Sequence, residues 1–213
     1  MTPENELLNF PFEEAEHQRE CAVFGMWIFI ATEVLFFGGM FTAYMVYRFS
    51  HPEAFIEAGH RQEWYLGCLN TAILIVSGFT MALAVEFAKR GNRRGLLFFY
   101  FLTALLGIGF LAVEGYEYHE KFVQHLFPGS DFHFVGNDPQ SSEMFYYLYF
   151  LMTGIHGVHM TIGVGLIVGF GLWAWLSKHA IQKPNCFEVL GLYWAFVDIV
   201  WMFLYPLFYL IHP

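Results

Sequence analysis

Five apolar runs, each long enough to cross a bilayer as a helix, constrain this chain more than any other feature. They cover about residues 22–47, 64–88, 96–116, 144–176 and 187–211. About 20 apolar residues suffice to span the hydrocarbon. Inside lipid every backbone N–H and C=O needs a partner within its own segment, so the runs should be helices. The expected fold is all-α: a polytopic integral membrane protein of five transmembrane helices. Residues 1–20 form an acidic lead, and 21–213 form one membrane domain. The composition agrees, with 57% hydrophobic residues, 14% charged residues and 26 Phe in 213 positions. The acidic lead is not the basic n-region of a signal peptide, so the first run is kept as a span. Residues 48–63 read as a short polar loop and Lys121–Ser142 as a longer one.

Orientation follows from Lys and Arg. With the N-terminus inside, the inner segments hold Arg19, Lys89, Arg90, Arg93, Arg94, Lys178 and Lys183, and the outer ones hold Arg48, Arg61 and Lys121. That bias of seven against three places the N-terminus in the cytoplasm and the C-terminus outside. The net charge of −9 excludes nucleic acid as a partner and argues against a polybasic lipid arm. Cys21, Cys68 and Cys186 are scattered and read as small apolar fillers.

Ionisable groups at bilayer depth are the functional candidates. Glu33 is the one charge in Ala22–Tyr47, with Phe29, Ile30, Phe36 and Phe37 at helical spacing around it, so any partner must come from another helix. His156 and His159 sit three apart and share a face. They read either as a metal or haem site or as neutral histidines bonded to neighbouring helices. No second His pair and no Glu-x-x-His accompany them, so no metal is assigned. Asp198 is a second deep carboxylate, in a stripe with Trp194, Trp201 and Tyr205. Glu33, His156 or His159, and Asp198 fall at similar depth and are expected to form one polar layer, serving as interhelical glue or as a proton-handling group. Gly157, Thr161, Gly165 and Gly169 form a small-residue stripe expected to admit a neighbouring helix. Glu114, Glu117, His119 and Glu120 end the third run. They read as a solvated acidic helix end or as a contact for a basic partner. Trp194, Trp201, Tyr205 and Glu117 are the candidates for contact with a partner or lipid.

Five stretches, one in each run, carry a family resemblance: FIATEVLFFGG around Glu33, LNTAILIVSG from Leu69, GYEYHEKF, TGIHGVHMTIG from Thr153, and LGLYWAFVDIVWMFLYPLFY from Leu190. Together they resemble subunit III of the haem-copper oxidases, in its five-helix bacterial form. The resemblance implies a subunit of a respiratory terminal oxidase in the bacterial cytoplasmic membrane. It implies that this chain binds no cofactor of its own, with haem and copper in partner subunits, and that it packs directly on subunit I. Subunit II, phospholipid and a respiratory supercomplex are the further partners it implies. It maps the family's buried helix carboxylate onto Glu33, its histidine pair onto His156 and His159, and its late Asp onto Asp198, with support of proton uptake as the role. Many members read Tyr-Trp-His-Phe where this chain has Tyr193-Trp194-Ala195-Phe196. The rival readings are an accessory protein of nitric oxide reductase, an intramembrane metalloenzyme and a small transporter.

Overall fold

The structure is a computed structural model that describes residues 15–129, 131–177 and 184–210. Most of the acidic lead, Lys178, Lys183 and Ile211 lie outside the described residues. Six helices follow in chain order: α1 (Ala15–Ser50), α2 (Pro52–Gly59), α3 (Trp64–Lys89), α4 (Arg93–Val123), α5 (Pro139–Leu176) and α6 (Pro184–Tyr209). Among the described residues there is no strand. Five of the six, all but α2, are long and apolar enough to cross a membrane.

Helices α3, α4, α5 and α6 pack as a ring of four, each on its sequence neighbour, with α3 closing back on α6. The α3–α4 link is as short as a helical hairpin allows. Gly91 takes the left-handed φ of +70° after α3, and the Asn92 side chain accepts from Gly95 N at 3.1 Å to cap α4. Arg93 turns across to α5, where its guanidinium donates to the carbonyls of Ala174 and Trp175. Those are carbonyls that the last turn of a helix leaves without intrahelical donors. Helix α1 lies outside the ring along the α5–α6 seam. Only 6% of its most apolar stretch is buried, against 50% for α6, so most of its surface is left to lipid or another chain.

The two ends of the bundle differ. At the basic end, Glu188 receives both Arg19 and Lys89 at 3.2 Å and ties the starts of α1 and α6 to the end of α3. At the other end, residues 48–63 are not the simple polar loop expected. Pro52 starts α2, and Phe55 and Ala58 are fully buried against the start of α5. Three apolar positions within two turns are enough for a helix to lie flat on the bundle, and Pro is well suited to the first turn. The loop after α4 is pinned as well. Arg61 donates to Val135 O and sits 4.2 Å from the Phe134 ring centre, and Glu57 accepts from Asn137 N at 3.2 Å.

Helix α4 runs two turns beyond the expected end at residue 116, and α5 starts five residues before the expected Met144. Both extensions carry polar residues that composition assigned to loops. They are helical because their buried faces continue the bundle, and because Asp138 caps α5 by accepting from Ser141 N at 3.1 Å.

Candidate functional site

Glu33 does find its partner on another helix. It sits mid-way along α1 on the side facing the seam, and its Oε2 is 3.2 Å from His159 Nε2 on α5. The two side chains are 19% and 16% exposed, so both are largely removed from the surroundings of the bundle. The other ring nitrogen, Nδ1, lies 2.9 Å from the Ile155 carbonyl one turn back. A carbonyl can only accept, so Nδ1 carries a proton. A neutral His159 then offers a bare Nε2, and the contact is chemically sensible in two forms: a carboxylic acid facing an imidazole, or a carboxylate facing an imidazolium. Each form places one further proton between Glu33 and His159. Tyr193 of α6 donates to the His159 carbonyl at 2.9 Å, and the Phe37 ring stands edge-on to the imidazole at 5.5 Å. The histidine is thus fixed by α1, α5 and α6 together.

The other expected members of the polar layer go elsewhere. Three residues along a helix rotate the side chain by about 300°, or 60° short of a full turn. That offset turns His156 into the ring core while His159 faces α1. His156 is 1% exposed, with its ring 5.4 Å from Trp201 and 5.5 Å from Phe110 and with neither nitrogen bonded. Asp198 faces α3 rather than Glu33. Its Oδ2 lies over Gly78, where a Cβ would come within 2.6 Å of it, and its Oδ1 has no hydrogen-bond partner. The single layer is therefore corrected to three separate places. The imidazoles diverge, and among the described residues no group of three or more His, Cys, Asp or Glu side chains is placed to hold a metal.

The α6 stripe lies along α3. Trp194 donates to Ser77 Oγ and Trp201 to Thr71 Oγ1, each at 3.1 Å, while Tyr205 packs over Gly67. Trp194 and Trp201 are fully buried, which corrects their reading as contacts for a partner or lipid; Tyr205 is half-buried. Glu117 is corrected in the same way. It is 1% exposed and is paired with Lys121 at 2.7 Å, because α4 continues far enough to carry both inside the bundle. The small-residue stripe of α5 is the reverse case. No atom lies within 4 Å of a Cβ built on Gly157, Gly165 or Gly169, and Thr161 is exposed. Among the described residues the stripe admits no helix. The glycines that do allow close approach are Gly107 and Gly163, on either side of the Trp194 indole.

Sequence reasoning missed two parts of this picture. One is Tyr193, which anchors the His159 backbone; nothing in its position beside Trp194 distinguished it from other aromatic residues. The other is the burial of the acidic end of α4. Its signal was the spacing of Glu114, Glu117 and Lys121, three and four residues apart on one helix face. Beside the α1 half of the Glu33 site runs an apolar groove of ≈ 350 Å³ between α1 and α6, lined by Trp27, Ile30, Phe37, Ala195, Phe196 and Phe203 among others. Ala195 is exposed there, so the family histidine it replaces would face this groove and not the core.

The chain matches the family described as cytochrome c oxidase subunit III over residues 14–212. It is 30% identical to cytochrome c oxidase subunit 3 of Thermostichus vulcanus, over 99% of this chain and 97% of that protein. It is 34% identical to cytochrome c oxidase subunit 3 of Synechocystis, over 89% and 75% respectively. It is 29% identical to quinol oxidase subunit 3 of Bacillus subtilis, over 95% and 93%. These matches do not favour the nitric oxide reductase reading.

Proposed function

Because this chain belongs to the cytochrome c oxidase subunit III family, and is thus a multi-pass membrane subunit of a haem-copper terminal oxidase, we propose that it works as a non-redox subunit that packs on catalytic subunit I and holds one proton at Glu33–His159 in support of proton uptake. The observation that carries this reading is the double engagement of His159. With Nδ1 committed to the Ile155 carbonyl, the Nε2–Glu33 contact retains a proton that either group can own. Such a pair can pass a proton without building up a bare charge in an apolar setting.

Assembly through an outer apolar face follows from the same geometry. Helix α1 is mostly unburied and the α5 glycine stripe has no neighbour among the described residues. Both suit close packing of a second membrane protein. The groove between α1 and α6 suits a lipid acyl chain. The basic end carries Arg19, Lys89, Arg90, Arg93 and Arg94, which supports a cytoplasmic N-terminus in a bacterial inner membrane. Haem and copper belong to the partner subunits in this reading, and the chain supplies no catalytic centre.

Glu33→Gln tests it. The amide can still donate to Nε2, so the complex should assemble in normal yield. It can neither accept nor release a proton, so proton uptake per turnover should fall, or inactivation during turnover should accelerate. Wild-type pumping and wild-type lifetime in the assembled variant would overturn the proposal.

A further inference from the structure

A second buried polar cluster lies at the loop end of the bundle, away from Glu33 and centred on α4. Glu114, Glu117 and Lys121 line one face of the final turns of α4, and they are 6%, 1% and 4% exposed. Glu117 is fully provided for. Lys121 Nζ donates to it at 2.7 Å, Tyr149 OH of α5 at 2.9 Å, and Tyr209 OH of α6 at 2.8 Å. Glu114 is not. Asn70 Nδ2 of α3 donates to its Oε2 at 3.5 Å, the Thr153 hydroxyl of α5 is also within its reach but is engaged with the Tyr149 carbonyl and Tyr118 OH, and its Oε1 has no partner among the described residues. Asn70 is fully buried and aimed at Glu114, yet its Oδ1 is also without a partner. Two neighbouring acceptors therefore lack a donor.

Charge points the same way. Two carboxylates against one ammonium leave a net charge of −1 in a site closed to solvent, and an unpaired buried charge is among the most expensive features a fold can carry. A water molecule could satisfy the two acceptors but would leave that charge in place. One proton removes the charge and supplies a donor to the amide oxygen. A protonated Glu114 is neutral, and its O–H can donate to Asn70 Oδ1 once the amide is turned over, an orientation that heavy-atom positions do not determine. The titratable groups in electrostatic reach are Glu117, Lys121 and Tyr118 on α4, Tyr149 on α5 and Tyr209 on α6. Asn70 faces the site from α3. Lys121 is the sole cation among them.

We propose that the Glu114–Asn70–Glu117–Lys121 cluster is a proton-binding site that keeps itself neutral, holding one exchangeable proton on Glu114 while Glu117 stays paired with Lys121. Helix α4 ends at Val123, two residues past Lys121, so the cluster lies at the loop end of the bundle.

Infrared spectroscopy of the purified complex in the carboxylic-acid C=O region counts the protons directly. A Glu33→Gln background removes the contribution of the other site and makes the result independent of the function proposed above. One band should be assignable to the cluster and should shift in D₂O. Glu114→Gln should abolish it. Glu117→Gln should abolish it too, because Lys121 is then free to pair with an ionised Glu114. Lys121→Met should add a second band, because two carboxylates without a cation need two protons. The Lys121 variant keeps the proposal testable if either glutamine variant does not assemble. A band that survives Glu114→Gln, a band that survives Glu117→Gln, no gain in Lys121→Met, or no shift in D₂O would each overturn it.

Discussion

Gly107 is a position where three helices leave no room for a side chain. A Cβ there would stand 2.7 Å from Val164 Cγ2 of α5 and 2.9 Å from Trp194 Cη2 of α6. On the far side of the same indole, a Cβ on Gly163 would come within 3.0 Å of Cζ3. The ring cannot slide away without weakening the 3.1 Å bond from Trp194 Nε1 to Ser77 Oγ on α3. Gly107→Ala should therefore strain the contact of all four ring helices. Overpacking of a filled core costs about 1–3 kcal/mol, and loss of the indole hydrogen bond adds ~0.5–1.5 kcal/mol. Alanine returns ~1 kcal/mol of helix propensity. The net loss is then about 0.5–3.5 kcal/mol, a shift of roughly 2–4 °C per kcal/mol in a chain of this size. The assay is thermal unfolding of the subunit purified alone in detergent, followed by tryptophan emission. Gly165→Ala is the control, since nothing lies within 4 Å of its Cβ, and its midpoint in the isolated subunit should not fall. A Gly107→Ala midpoint equal to wild type, or an equal drop in both variants, would refute the reasoning.

Two further outcomes are expected. Phe55 of α2 is fully buried between Tyr44 and Phe145, each ring centre 5.4 Å away. Phe55→Ala should cost about 3–5 kcal/mol locally and expose residues 48–63 to proteolysis while the ring of four stays folded; unchanged cleavage would count against α2 as a docked element. Asp138 accepts from Ser141 at the start of α5, and hydrogen bonds from Ser141 hold its carboxyl below the ordinary value. Its contribution is complete above the unfolded carboxylate range and is lost as pH falls through the lowered folded value. Asp138→Asn, which keeps a cap without a titrating group, should flatten that part of the acid profile, and a profile that is unaltered would argue against the cap.

Helix number and order were legible because lipid leaves the backbone one economical solution, and run length reports it directly. Glu33 was legible for the same reason: a charge among phenylalanines needs a partner, and none lay on its own helix. Rotation about the helix axis was much less legible. Depth along a span can be counted from its end by residue number, and the Glu33–His159 contact agrees with that count. Which neighbour each meets depends on which faces of α5 and α6 turn toward α1 or α3, and lipid-facing and core-facing surfaces are here almost equally apolar. The hydrophobic contrast that reveals a buried face in a water-soluble helix is therefore missing. The stripe of Gly157, Thr161, Gly165 and Gly169 shows the consequence: its spacing is right for close packing, yet among the described residues it lies open.

The acidic end of α4 shows the complementary failure. Polar composition marks a helix end in the sequence, whereas Glu114, Glu117 and Lys121 lie buried in the bundle, Glu117 paired with Lys121, with Asn70, Tyr149 and Tyr209 supplied from three other helices. Of those six residues, three lie on helices other than α4, and no local window contains them all. A group that looks solvated when read alone can be buried once its counter-charge arrives one turn later on the same face. Helix ends assigned from composition alone will therefore be placed too early wherever a Glu-x-x-x-Lys pair follows an apolar run.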